Sequence, residues 1–205
     1  RYVEVNKALK KMHYLRNDPL IQRAPSIIFL HGFPESSYAW NAFLPRFTLQ
    51  GFNVFAPDFR GNFLSNCFKL PKEFDIDTLA EDIRILIAKY KVQKVVLIGH
   101  DLGGAVAWQL VEKYPLLCKA LIVFNSPHPG AYSKMFRSKP WLTARQTMRF
   151  WYLYFLQIKH LPEGLMLKGN GCWVDFFFKK GIKKKSLNIQ SRLGFYKRLL
   201  SSKSS

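Results

Sequence analysis

Four short runs of consecutive apolar residues stand out: Ser26–Leu30, Phe52–Ala56, Val95–Ile98 and Ala120–Phe124. They are rich in β-branched side chains and do not alternate with polar ones. Strands of a parallel sheet that is covered on both faces read this way. Between the second and third runs, Asp75–Tyr90 places Ile76, Leu79, Ile83, Leu86, Ile87 and Tyr90 on one helical face. Asp75 and Asp77 stand at its start, where negative charge suits the helix dipole. A second helix is predicted from about Gly103 to Tyr114, stopped by Pro115. This strand–helix rhythm predicts an α/β fold with a doubly wound, mostly parallel sheet. Arg1–Asn17 adds an expected antiparallel hairpin at one edge. After Pro127-His128-Pro129-Gly130 the rhythm changes. Lys134–Gln157 is aromatic and basic, with a helix expected from about Thr143, and Glu163–Ser205 is weakly patterned. The chain thus falls into 1–130, 131–165 and 166–205.

Composition sharpens this division. With 205 residues, 48% of them hydrophobic, the chain can form a sizeable core. Its net charge of +19 is unevenly spread. Residues 1–130 carry 16 basic and 11 acidic side chains, while 131–205 carry 16 and 2. The first part therefore resembles an ordinary globular protein and no nucleic acid partner is expected. The basic excess of the tail, with Lys179–Lys185 following Phe176-Phe177-Phe178, suits a peripheral contact with a membrane surface. Cys67, Cys118 and Cys172 are far apart, which argues against a disulfide framework or a Cys-rich metal site. Neither a metal nor a cofactor is expected. No apolar run reaches the roughly 18 residues of a membrane span. The expected location is the cytoplasm or the cytosolic face of a membrane. Position 1 is Arg rather than Met, so an N-terminal anchor could precede it.

The densest chemical signal is Val95-Val96-Leu97-Ile98-Gly99-His100-Asp101-Leu102-Gly103-Gly104. A buried strand enters a small-x-nucleophile-x-small turn and a helix leaves it, the pattern of a nucleophile elbow with Asp in place of Ser. A side chain at Gly99 or Gly103 would press on neighbouring backbone. The helix start favours the negative charge of Asp101. A carboxylate nucleophile suits a carbon that bears a strained or good leaving group. A second signal, His31-Gly32-Phe33-Pro34-Glu35, directly follows the strand Ser26–Leu30. Ligands of parallel sheets sit beyond the carboxyl ends of the strands. The backbone N–H groups of Phe33 and Leu102 can converge there as an oxyanion hole. His31 and Glu35 are expected to hold the loop together rather than to react.

HGFPESSYAW, then Ala56-Pro57-Asp58-Phe59-Arg60-Gly61, GHDLGG and Asn125-Ser126-Pro127-His128-Pro129 together resemble the α/β-hydrolase-fold epoxide hydrolases over roughly residues 13–163. The resemblance implies that Asp101 is the nucleophile and that Phe33 and Leu102 are the oxyanion donors. Phe33, Pro34 and Trp40 are candidate substrate-binding residues. Residues 131–165 are then the start of a helical cap. Its Trp151-Tyr152-Leu153-Tyr154-Phe155-Leu156-Gln157 resembles the stretch supplying the tyrosine that protonates the epoxide oxygen; Tyr152 matches best and Tyr154 is the alternative. The implied partner is a small apolar epoxide. Haloalkane dehalogenases share the Asp elbow but resemble HGNP, with Trp after the Asp; here Phe33 and Leu102 occupy those positions. A dehalogenase-like hydrolase and a non-catalytic scaffold with a lipid- or nucleic-acid-binding tail are the alternatives. A serine esterase is excluded by Asp101.

In this fold the acid and the catalytic His follow the nucleophile along the chain. Only 104 residues follow Asp101, and none of His13, His31, His100, His128 and His160 follows a late apolar strand. The side chain of His100 is expected to point away from that of Asp101. The expectation is a chain that stops before the family's last strands. It would lack a base for ester hydrolysis and leave Ala120–Phe124 as an exposed apolar edge.

Overall fold

The computed structural model describes residues 1–5, 11–16, 24–33, 35–62, 64–65, 74–141, 144, 148 and 194. The chain divides into two compact units, Arg1–Lys134 and Met135–Ser205. The strands are β1 (Tyr2–Glu4), β2 (Lys11–Arg16), β3 (Ser26–Leu30), β4 (Asn53–Pro57), β5 (Val95–His100) and β6 (Cys118–Phe124). The helices are α1 (Leu44–Leu49), α2 (Ile76–Lys89), α3 (Leu102–Lys113) and α4 (Pro129–Ser138), with a 3-10 turn at Ser37–Trp40. The expected helix from Thr143 and the 166–205 tail lie outside the described residues, apart from isolated positions.

The sheet order is β1-β2-β4-β3-β5-β6. β4, β3, β5 and β6 run parallel, while β1 and β2 form the antiparallel edge expected of Arg1–Asn17. The apolar runs are continuous because both faces of the central strands are covered. Ile28, Leu30, Phe55, Val95 and Leu97 pack on one face with Leu79, Ile83, Leu86, Val106 and Leu110 of α2 and α3. The residues between them in sequence, Ile27, Phe29, Val54, Ala56 and Ile98, form a second apolar layer with Leu44 and the partly buried Trp40 and Phe47. Strand pleating alone divides the two sets.

The chain leaves β3 for β4 on one side and returns through α2 to β5 on the other. Right-handed crossovers made in opposite directions put their helices on opposite faces. The strand order therefore switches between β3 and β5, which opens a crevice at their carboxyl ends. The register pairs Leu30 with Gly99, so the loop after β3 leaves directly beside His100 and Asp101.

Local signals set the helix limits. The Asp75 side chain caps α2 by accepting the Thr78 N–H at 2.6 Å. α3 ends at Lys113, two residues before Pro115, as the sequence predicts. Ile76, expected on the buried face of α2, is 39% exposed at the first helical position. α4 was not expected; its signal is Pro129 at the first helical position, where a missing N–H costs nothing. β6 stands last in the sheet order, and Ile122 and Phe124 on it are exposed.

Two buried polar knots fix the loops around the crevice. In the first, His31 is fully enclosed; its Nδ1 faces the Gly32 carbonyl at 2.9 Å and its Nε2 accepts the Phe59 N–H at 3.1 Å. These two bonds define a neutral imidazole protonated on Nδ1. The ring ties the loop after β3 to the loop after β4. Asp58 extends the knot, accepting the Ser37 N–H at 2.6 Å and meeting His13 Nδ1 at 2.7 Å. In the second knot, the Arg60 guanidinium grips the Asp82 carboxylate of α2 through Nε and, at 2.7 Å, Nη2. Burial pushes the Asp82 carboxyl above its usual range, and Arg60 opposes that shift.

Both knots give testable outcomes. Arg60→Met leaves a buried carboxylate without this cation, and urea unfolding should show a loss of about 3–5 kcal/mol. Adding Asp82→Leu should restore much of it, because an apolar pair carries no desolvation cost. For His31, burial holds the imidazole below its ordinary pKa. The unfolded chain takes up this proton once the pH falls below about 6.5, so this contribution is full above that value and is lost as the pH falls through it. Unfolding free energy measured from pH 7.5 to 5 should fall by up to about 1.4 kcal/mol per pH unit below that point. The slope should flatten by that share in His31→Asn.

Candidate functional site

Asp101 occupies the turn between β5 and α3 with φ 53° and ψ −117°. A non-glycine residue there carries about 1–3 kcal/mol of strain, tolerated only where the surroundings over-determine it. Three backbone bonds do so. The Asp101 N–H donates to the Phe124 carbonyl at 3.0 Å, and the Asp101 carbonyl accepts from the Gly104 and Ala105 N–H groups at 3.0 and 3.2 Å. Close packing does the rest. A Cβ on Gly103 would lie against the Leu30 carbonyl and 2.7 Å from the His31 oxygen; one on Gly99 would lie 2.6 Å from the Gly103 oxygen. The start of α3 therefore rests directly on the end of β3. The sequence pattern required these two glycines to be side-chain-free, and the structure shows which atoms require it.

The loop after β3 closes on the same turn. The Phe33 N–H donates to Asp101 Oδ1 at 3.2 Å, and Phe33 itself is about half-exposed. Gly32 permits the approach: a Cβ there would lie 2.8 Å from Asp101 Cβ and 3.1 Å from His100 Nδ1. A turn from Gly32 to Glu35, closed by the Glu35 N–H on the Gly32 carbonyl at 3.0 Å, shapes the loop. Leu102 is the first residue of α3, so its N–H is among those the helix leaves without an internal partner. A carboxylate, a backbone N–H directed at it and a helix N-terminus thus meet at the topological switch of the sheet.

The other sequence candidates are placed differently. Trp40 packs on Phe29, ring centroids 5.0 Å apart, and on Phe43 at 5.7 Å, within the apolar layer beside α1. Pro34, Tyr152 and Tyr154 lie outside the described residues. His100 turns toward the loop after β3. Its Nδ1 stands 3.9 Å from Glu35 Oε2, and both its ring and Asp101 border Gly32. Glu35 is thereby brought to the crevice, a placement the sequence signalled only through its position in HGFPE. His13 and His31 belong to the buried knot. His128 meets Trp108 edge to face, ring centroids 4.8 Å apart, and accepts the Gly130 N–H at 3.1 Å. His160 lies outside the described residues. Among the described residues no three His, Cys, Asp or Glu side chains gather as a metal site.

Comparison with known proteins places the chain in a family. Epoxide hydrolase 1 of Caenorhabditis elegans is 32% identical over 195 residues, covering 95% of this chain and 45% of that protein. Mouse epoxide hydrolase 4 is 33% identical over 162 residues, 79% of this chain and 43% of its own length. The chain thus spans about half the length of the curated relatives it matches. The crystal structure of a Bacillus megaterium epoxide hydrolase in complex with an inhibitor superposes with a TM-score of 0.80 at 26% identity, covering 94% of this chain and 65% of that one. Residues 25–158, which contain both loops of the crevice, match the alpha/beta hydrolase fold family. The chain therefore belongs to the α/β-hydrolase fold family, as an epoxide hydrolase-like member.

Proposed function

We propose that Asp101 is a nucleophile that opens a small apolar epoxide. The observation that carries this reading is the Phe33 N–H held 3.2 Å from Asp101 Oδ1 on a strained turn. One carboxylate oxygen stays with the donor while the other attacks a ring carbon. The C–O bond to that carbon breaks, an ester to Asp101 forms, and the epoxide oxygen leaves as an alkoxide that needs a proton. Tyr152 is the proposed donor. The Phe33 and Leu102 N–H groups would later hold the oxyanion formed when water attacks the ester. Phe33 borders the crevice through its exposed ring, and Pro34 beside it would share the apolar lining.

Water attack on the ester requires a base. Three of the described histidines, His13, His31 and His128, are held in contacts away from Asp101. The fourth, His100, borders Gly32 beside Asp101, but its Nδ1 faces Glu35 at 3.9 Å, and we propose that no imidazole among the described residues is placed to activate that water, so that ester formation outpaces hydrolysis. Incubation with a simple aryl epoxide should give a protein mass increased by one epoxide, with the adduct mapped to Asp101 by peptide fragmentation. Asp101→Asn should give none, and Tyr152→Phe should slow its appearance. Rapid formation of many equivalents of diol would overturn the stoichiometric reading while keeping the nucleophile. An adduct elsewhere, or neither adduct nor diol, would overturn the nucleophile as well.

A further inference from the structure

The loop after β3 is anchored on both sides of the residue that meets Asp101. His31 holds its start, and further on the Ser37 N–H donates to Asp58 Oδ1 at 2.6 Å. Phe33, whose N–H is directed at Asp101 Oδ1, lies between these anchors. Another tie reaches the same span from the loop after β4. Asn62 Nδ2 donates to the Glu35 carbonyl at 3.2 Å and stands 3.3 Å from His31 Nε2. The Glu35 N–H closes the turn on the Gly32 carbonyl, so a tie at Glu35 bears on the whole turn that presents Phe33.

The chemistry of the side chain suits both partners. A primary amide carries two hydrogens on one nitrogen, and here it faces two acceptors, a carbonyl oxygen and the lone pair of a neutral imidazole. The reversed amide would set its oxygen against both, so the partners themselves assign Nδ2. His31 Nε2 thus has two donors before it, the Phe59 N–H at 3.1 Å and the Asn62 amide. The backbone of Asn62 is fixed in turn. Its N–H donates to the Phe59 carbonyl at 3.0 Å, and its carbonyl accepts the N–H of the buried Ser65 at 2.8 Å. Ser65 Oγ donates to the Asp58 carbonyl at 2.8 Å, which joins this turn to the first buried knot. Gly61, at φ 72°, takes the chain into the turn. Asn62→Ala would keep these backbone ties and remove the two side-chain donors. Asn62→Asp would keep the shape and set an acceptor where a donor is needed.

We propose that Asn62 is a positioning residue that sets the Phe33 N–H against Asp101; its bearing on rate rests on Asp101 being the nucleophile. Amide exchange followed by NMR reads the placement without any reaction. In Asn62→Ala the Phe33 amide should exchange about tenfold faster or more, while the Leu86 amide in the core of α2 keeps its rate. With a simple aryl epoxide, the same variant should lower the limiting rate of adduct formation about tenfold. The half-saturating epoxide concentration should stay within about twofold. Asn62→Asp adds a spectroscopic signature. Its carboxylate would draw a proton onto His31 Nε2. The ring 15N shifts of His31 at about pH 6.5 should be those of a neutral imidazole in the wild type and in Asn62→Ala, and should move toward imidazolium in Asn62→Asp. Unchanged exchange at Phe33 in Asn62→Ala overturns the proposal. So does an equal acceleration at Phe33 and Leu86, which would make Asn62 a residue of general stability only. A change confined to the half-saturating concentration overturns it as well, because the nucleophile would then be as well placed as before. If exchange at Phe33 responds but the wild-type protein forms neither adduct nor diol, the placement by Asn62 stands and the reading of Asp101 as nucleophile falls.

Discussion

Gly103 lies so near the carbonyls of Leu30 and His31 that a Cβ has no room there, and the crevice depends on this approach. A helix start cannot normally rest on a strand end at this distance, because a Cβ would occupy the space. With the side chain absent, α3 begins almost on top of β3, and the intervening turn has no room to relax. Asp101 is therefore held at positive φ, where it stands clear of the sheet. The strain is local, but its support is distributed. Gly99 below, the Phe124 carbonyl from β6 and the amides of α3 each remove one way for the turn to escape.

A carboxylate lifted in this way still needs a donor placed beside it, and the donor arrives from a different strand. β3 and β5 are adjacent and parallel, in a register that ends them at the same level. The loop after β3 is then kept from swinging outward by the fully buried ring of His31, whose two nitrogens engage two different loops. The bond from Phe33 to Asp101 is thus the last of a series of constraints. Burial fixes the protonation of His31, His31 fixes the loop, and the loop fixes the N–H. The electrostatic knots lie behind the crevice rather than in it, which keeps Asp101 accessible while its surroundings are rigid.

The sequence made much of this readable, for identifiable reasons. Ser26–Leu30 was legible to the residue because both faces are buried and the run is bounded by Pro25 before it and His31-Gly32 after it. The elbow was legible because the glycines at 99 and 103 have no substitute at such distances. Periodicity does not report short elements that owe their shape to tertiary packing. α1, with six residues, and the turn at Ser37–Trp40 left no separate signal, and α4 showed only its initial proline. Trp40 illustrates the limit for side chains. Its place after the HGFPE loop suggested the crevice, but sequence distance does not say on which side of a sheet a ring falls. The 3-10 turn carries it into the aromatic layer with Phe29.

The orientation of His100 makes the same point from the opposite direction. Alternation along a strand predicts that its side chain and that of Asp101 diverge, and within an extended strand they would. Asp101 leaves the extended conformation at positive φ, so the strand alternation ends at His100. Both side chains then border Gly32, and Glu35 comes within reach of the imidazole. A strained turn thus does more than present one nucleophile: it changes which neighbours in sequence become neighbours in space. The groups gathered at the mouth of the crevice, Asp101, His100 and Glu35, come from two loops that only the register of β3 on β5 brings together. The chemistry open to this chain is set by that register as much as by the residue types themselves.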